Sequence, residues 1–419
     1  MTEQNSNKRI AIITRQFPTP SETFVVHQVI DAIELGYDVG IFVKEKGELS
    51  ESTQREEIEQ YHLMEKTVVL EDYRPSNDFF SYWKAFQLLF KGVPLNFYKT
   101  FNPLVYGTLG LKGVLFYGLL RLRSALDYDI YHIQFGTNSF PLPQLKEFGL
   151  LKGNLVATFH GIDAHFTEQS LNEKKRSYAL LFKNSKRITV NTKYLGDKVK
   201  KLGCLEEKIE VVHMGVDTQY FTPLKKTRKA LSFHLISVGR LLPIKGHKWG
   251  IKAVSLLKKW GYKVKYSIVG EGNEYENLKN LVSTLKLEKE VFLLGQRNQN
   301  EVKELLQKAD AFLMTSSVDG QGRREAQGVV TLEAQACGLP VVAFRSGGIP
   351  FTLEENETGF LSDEEDFEDM ARNIEKMMLN DGLLEEMSSK ARLFVEKMFS
   401  NEKNKAQMAT IYNELLIEE

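Results

Sequence analysis

Cysteine is nearly absent: Cys204 and Cys337 are the only two in 419 residues, and they lie far apart. Thiols this sparse exclude a disulfide scaffold and a cysteine-based zinc site, and they fit a reducing cytosol. An excess of charge of either sign is also missing. The 55 Lys+Arg match 55 Asp+Glu, so the chain has no electrostatic footprint for nucleic acid. No apolar run reaches the roughly 18 residues of a membrane-spanning helix. The opening MTEQNSNKR is polar and runs straight into a strand-like segment, so no signal peptide is expected. What is present is ordinary for a globular protein: 42% hydrophobic and 26% charged residues. The length exceeds one ordinary core and predicts two domains of roughly 200 residues each.

The pattern of elements is α/β. Arg9–Arg15 is an unbroken β-branched run and reads as a buried parallel strand. Thr19-Pro20-Ser21-Glu22 reads as a helix start, with Thr19 as N-cap, Pro20 in the first turn and Glu22 completing a capping box. That helix is expected to reach Leu35 and stop at Gly36, before a strand at Val39–Val43. Strand, helix, strand at this spacing is a βαβ unit. Further strands are expected at Ile130–Gln134, Leu155–Phe159, Ile188–Asn191 and Ile209–His213. After the basic segment Thr222–Lys229 the same grammar restarts, with strands at Phe233–Val238, Lys265–Val269, Val291–Leu294, Ala311–Met314 and Val341–Phe344. The boundaries predicted are 1–218, 219–398 and a C-terminal helical segment 399–419, the last placed against the first domain.

The richest segment is Gly322–Gly338, GRREAQGVVTLEAQACG. Glu325 falls in a loop and Glu333 a turn or so into a helix that begins after Gln327-Gly328 and ends at Gly338-Leu339-Pro340. The free N–H groups of that helix start lie between the two acids, and such an end attracts anions. A ligand with hydroxyls at both ends and phosphate in the middle, such as a nucleotide sugar, matches this order. Gly239-Arg240 and Lys245-Gly246 follow the first strand of the second half, where open α/β sheets bind ligands. Two cations flanked by glycines suit a diphosphate, although a solvated loop reads the same way. Gly270-Glu271-Gly272 lacks a third glycine and reads as a tight strand–helix turn. His160 ends a strand and could donate to a hydroxyl or a phosphate; a satisfied structural histidine is the plainer alternative. Asp163 could orient it or cap a turn. Asp127-Tyr128-Asp129 matches a short manganese-binding pattern but reads as a strand entry, and no other cluster has metal-ligand spacing.

Residues 79–125 stand apart. Phe79, Phe80, Tyr82, Trp83, Phe86, Phe90, Phe97, Tyr98, Phe101, Tyr106, Phe116 and Tyr117 are interleaved with Lys84, Lys91, Lys99, Lys112, Arg121 and Arg123. A basic aromatic stretch can lie on an anionic membrane. The alternative is a set of helices packed on the first domain with lysines on the wet face.

Together these motifs resemble the family 4 glycosyltransferases, over nearly the whole chain from Arg9 to about Phe399. The most specific part is Glu325–Glu333 with Ala334–Val342; Gly239-Arg240, Lys245-Gly246, His160–Asp163, Met214–Asp217 and Ser346–Pro350 follow the family's order. Phe17–Phe24 and the Asp319–Glu325 loop are similar to colanic acid and amylovoran-type exopolysaccharide transferases. The resemblance implies a GT-B fold, two Rossmann-like parallel-sheet domains facing across a cleft. It implies retaining transfer of a hexose from a nucleotide diphosphate sugar, with no metal and no established protein nucleophile. The acceptor would be a glycan, lipid-linked, in bacterial surface polysaccharide synthesis on the cytoplasmic face of the membrane.

By the same resemblance, Arg240 and Lys245 would neutralise the departing diphosphate, with Gly239 allowing close approach. Gln327, Gly328, Val329 and Val330 would hold a phosphate, Glu333 the ribose, Glu325 the transferred sugar, and the loop at Gly295–Arg297 the base. His160 would stabilise oxocarbenium-like charge. Ser21, Glu22, Thr23 and Asp163 would serve the acceptor. Three departures stand out. Pro18-Thr19-Pro20-Ser21 replaces the glycine pair of many members, Ala326-Gln327 replaces a glycine–aromatic pair, and Phe351 replaces a glutamate. A silent glycan-binding scaffold and a sugar-nucleotide epimerase are the rival readings. The intact Arg240, Lys245, Glu325 and Glu333 argue against the scaffold.

Overall fold

A computed structural model describes residues 8–20, 22–52, 54–74, 81–89, 93–224 and 232–417. Ser21, Phe79, Phe80, Phe90, Lys91 and much of the basic segment Thr222–Lys229 lie outside them. The described residues form two compact units. The first takes in 1–190, 198–210 and 407–419; the second takes in 191–197 and 211–406.

The first unit contains β1 (Arg9–Phe17), β2 (Asp38–Lys46), β3 (Thr67–Val69), β4 (Ile130–Gln134), β5 (Asn154–Phe159), β6 (Ser185–Val190) and β7 (Ile209–Val211). Its sheet runs β3-β2-β1-β4-β5-β6-β7. The pairs β1·β2, β1·β4, β4·β5 and β5·β6 are parallel. The second unit contains β8 (Phe233–Val238), β9 (Val264–Val269), β10 (Val291–Leu293), β11 (Ala311–Met314), β12 (Val341–Phe344) and β13 (Gly359–Ser362), in the order β10-β9-β8-β11-β12-β13. The central strands are buried on both faces, which is why their sequences read as continuous apolar runs. Each sheet reverses strand order once, between β1 and β4 and between β8 and β11. Ligands of open α/β sheets bind outside the carboxyl ends of the strands at such points.

The chain's last helix, Asn401–Ile417, ends in the first unit. There the Tyr412 hydroxyl meets His132 Nδ1 at 2.7 Å, and Asn154 donates to the Leu415 carbonyl at 2.7 Å. The first long helix spans Thr23–Glu34, with Glu22 at its N-cap and no side-chain cap. The expected capping box at Thr19 is therefore corrected: β1 runs on to Phe17, and the helix starts later than the Thr-Pro-Ser-Glu pattern implies. The edge strands β3 and β13 lie outside the strands predicted from the sequence.

Arg392 fastens three loose ends of the second unit. Its guanidinium donates to the carbonyls of Phe221 (2.6 Å), Ala336 (2.7 Å) and Thr218 (2.8 Å). Ala336 closes the helix Val329–Ala336, where a cation also opposes the negative helix end. Arg392→Ala leaves these carbonyls without their charged donor, and we expect a loss of about 3 kcal/mol in urea unfolding.

Candidate active site

In the second unit the candidate residues gather at the β8/β11 reversal. The short turn Pro243–Lys245 follows β8, and the segment after β11 holds it in place. Thr315 Oγ1 donates to the Lys245 carbonyl (3.0 Å), and Ser317 N donates to the Ile244 carbonyl (3.1 Å). The fixed turn aims Lys245 Nζ at Glu325 Oε2, 2.5 Å away, with both side chains less than one-fifth exposed. Two residues that the sequence assigns to different parts of a ligand thus form one ion pair. Arg240 beside them is exposed and has no ion-pair partner among the described residues.

Close backbone approach explains the glycines here. Leu241 N donates to the Glu271 carbonyl at 2.8 Å, and Gly270 packs so tightly that a Cβ would collide with the Gly239 oxygen. Gly270-Glu271-Gly272 is accordingly a strand–helix turn. Glu271 and Gly272, with Tyr275, Leu293, Leu294 and Gly295, line an open hollow of about 550 Å³. Arg297, just beyond, lies 3.7 Å from Glu301.

The loop bearing Glu325 is fixed on both sides. Arg324 clasps Glu364 through Nε (2.7 Å) and Nη2 (2.9 Å), and Gly348 N donates to the Glu325 carbonyl (2.9 Å). Gln327 is fully buried. It accepts from Met214 N (2.9 Å) and donates to Met214 O (3.0 Å). Its side chain is thus committed to the protein, which leaves only its backbone to meet a ligand. Gly328 then takes a left-handed turn (φ 83°) into the helix Val329–Ala336. The N–H groups of Val329 and Val330 have no acceptor among the described residues, so the helix start presents them outward. Glu333 lies one turn in, and burial raises its carboxyl to about 7.

In the first unit His160 closes β5. Its Nε2 lies 2.9 Å from Gln134 Oε1, and its ring packs against Phe24 and Phe135 at 4.3 and 4.5 Å. Burial, and after it the neighbouring His132, lower its pKa to about 3, so the ring is neutral at pH 7. Nδ1 is buried with no protein partner. Asp163 is 1% exposed. Oδ1 accepts from the N–H groups of His160, Gly161 and Ala164, and Oδ2 from Gly136. The structure therefore makes it the cap of the turn that carries His160, and both its oxygens are spent on backbone. Glu22 and Thr23 open the first helix, and burial raises the Glu22 carboxyl against the pull of Thr19 and Arg15. Asp129 accepts from Arg9 N (2.8 Å) and Lys8 Nζ (3.3 Å), which fits a strand entry.

Sequence reasoning missed Gln134, the residue that holds His160. The signal was there: His132 and Gln134 alternate on one face of an otherwise apolar strand, at its carboxyl end.

Comparison with known proteins agrees with this geometry. Residues 222–394 match the model for glycosyl transferases group 1, and residues 89–220 match glycosyltransferase family 4. The amylovoran biosynthesis glycosyltransferase AmsK of Erwinia amylovora is 31% identical over 410 residues, covering 97% of this chain and 100% of that one. The putative colanic acid biosynthesis glycosyltransferase WcaL of Escherichia coli K12 is 29% identical over 97% of this chain and 100% of that one. Among solved structures, Anabaena Alr3699/HepE in complex with UDP shares the fold with a TM-score of 0.72 at 18% identity, covering 97% of this chain and 100% of that one. The ion pair at the strand switch, the open helix start and these matches lead to one conclusion: the chain is a glycosyltransferase with the two-sheet GT-B fold, a member of the group 1/family 4 glycosyltransferases.

Proposed function

We propose that the enzyme moves a hexose from a nucleoside diphosphate sugar to a glycan acceptor in bacterial exopolysaccharide biosynthesis, retaining anomeric configuration and needing no metal. The observation that carries this reading is the Lys245–Glu325 pair beside Arg240, set next to the open start of the Val329 helix. Fixed cations stabilise the charge that develops on a departing diphosphate, the part a metal plays elsewhere. Glu333 accepts from the ribose and Glu325 from the sugar. The hollow by Gly295 takes the base. His160, neutral at pH 7 and just past the carboxyl end of β5, is the first unit's candidate for contact with a sugar hydroxyl.

The names of AmsK and WcaL, in amylovoran and colanic acid biosynthesis, support a polysaccharide acceptor. The complex of HepE with UDP-glucose makes uridine the first base to try. The test is thermal shift with UDP, GDP and ADP, since a ligand that binds only the folded state raises Tm. One of the three should raise it by several degrees, and product should form from the matching sugar nucleotide in EDTA. No shift with any of them, or activity abolished by the chelator, contradicts the reading. Conversion of the donor without an acceptor would favour an epimerase.

The acceptor is proposed to be lipid-linked, with the protein peripheral on the cytoplasmic face of the membrane. Of the aromatic stretch, the helix Val114–Arg121 is core, with Val114 to Leu120 buried. Trp83 (62% exposed), Leu95 (75%) and Leu104 (94%) instead face outward, with exposed Lys99 and Arg123 close by in sequence. No single helix among the described residues is long and apolar enough to cross a membrane. Exposed apolar side chains with cations close by in sequence fit shallow insertion among anionic lipids. Co-sedimentation with anionic vesicles should be lost on substituting Lys84, Lys91 and Lys99 together. Absence of binding by the wild-type protein removes the membrane contact.

A further inference from the structure

The order reversal of the first sheet, between β1 and β4, opens onto a cavity of about 480 Å³. Arg15 comes from β1, Lys44 from β2, Arg121 from the last turn of the Val114 helix, and Thr137 and Asn138 from the turn after β4. Three cations and a single carboxylate, Asp72, line it among the described residues. None of the three cations has an ion-pair partner among the described residues. Two buried polar atoms also lack partners: Nε of Arg121, and Oγ1 of Thr14, a lining residue that is only 3% exposed. Three cations without a carboxylate in ion-pair contact, with an unsatisfied hydroxyl at a strand-switch crevice, suit an anion.

We infer that this cavity binds the phosphate or diphosphate of the acceptor, held by Arg15, Lys44 and Arg121 with a hydrogen bond from Thr14. This rests on the reading of the chain as a transferase whose donor diphosphate is held elsewhere, by Arg240 and Lys245. Phe140, half-exposed at the cavity rim, offers an apolar edge to whatever the phosphate is attached to.

The test is calorimetric titration of the full chain, with UDP saturating, using inorganic diphosphate and then geranyl diphosphate. Lys44→Gln, Arg121→Gln and Thr14→Val should each weaken diphosphate binding, the two charge changes by about tenfold, which corresponds to roughly 1.4 kcal/mol. The affinity for UDP should not change in these variants. Lys245→Ala should do the reverse, lowering UDP affinity and sparing the second anion. Geranyl diphosphate binding at least tenfold more tightly than inorganic diphosphate supports a lipid acceptor. Equal affinities support the same site serving a soluble phosphorylated acceptor. Lys44 and Arg15 are exposed, so the Arg15→Gln/Lys44→Gln double variant should fold even if Arg121→Gln does not. Undiminished diphosphate binding in that double variant overturns the inference. Loss of the UDP response alone would overturn the donor reading and leave the anion site standing.

Discussion

Replacing Lys245 by alanine should lower kcat about 10²–10³-fold, or about 3–4 kcal/mol of transition-state stabilisation, the scale of losing one preorganised donor to a developing anion. The ammonium is already in place before any ligand arrives. Its turn is pinned by Thr315 and Ser317, and its charge rests on Glu325. Negative charge on the diphosphate grows as the glycosidic bond breaks, so Lys245 gains more from the transition state than from the bound donor. The variant should therefore lose kcat more than it raises KM. Glu325→Gln should separate the two roles. Freed from its carboxylate partner, Lys245 should bind UDP at least as tightly as before, while transfer slows because the sugar has lost an acceptor. Steady-state kinetics beside UDP titrations check both statements. Equal turnover by Lys245→Ala and wild type would sink the leaving-group assignment.

The second large effect concerns pH. Burial holds the free Glu333 carboxyl near 7, while an ordinary glutamate titrates near 4.3. A carboxylate accepts from two ribose hydroxyls, whereas the acid can accept only weakly and must place a proton. Nucleotide binding thus selects the ionised form. Affinity should be flat above pH 8 and fall by up to about tenfold per unit as pH drops below 7, about 1.4 kcal/mol for each. Stability of the empty protein runs the other way. The raised folded pKa means the contribution from protonated Glu333 is complete below the unfolded pKa and lost as pH rises through 7. Glu333→Gln should flatten the binding profile, weaken UDP at pH 8, and raise the Tm of the empty protein at that pH. A wild-type profile without slope between pH 5 and 8 contradicts the ribose role.

How much of this could be read beforehand follows from which forces are local. The central strands Ala311–Met314 and Val341–Phe344 carry unbroken apolar runs because both faces are buried. The edge strands Thr67–Val69 and Gly359–Ser362 are short and owe their form to a neighbour. The Thr19 capping box does not form: the helix opens only at Thr23, with Glu22 at its N-cap. At the site, the acid in the loop, the acid in the helix and the glycine between them were legible, since one short segment encodes all three. The Lys245–Glu325 pair, the Gln327–Met214 clasp and the hold of Gln134 on His160 were not, because each joins positions far apart in sequence. Arg15, Lys44 and Arg121 lie far apart in sequence, and three separate elements bring them to one cavity.

The claim that Arg240 and Lys245 grip the donor's diphosphate is tested most directly by comparing nucleoside diphosphate with nucleoside monophosphate affinity. Calorimetric titrations of UDP and UMP, or of whichever base binds, give that ratio for wild type and for the Arg240→Ala/Lys245→Ala double variant. Wild type should prefer the diphosphate by at least about tenfold, and the preference should collapse toward unity in the variant while the monophosphate binds as before. An undiminished preference in the double variant would show that the second phosphate is held elsewhere and would contradict the account.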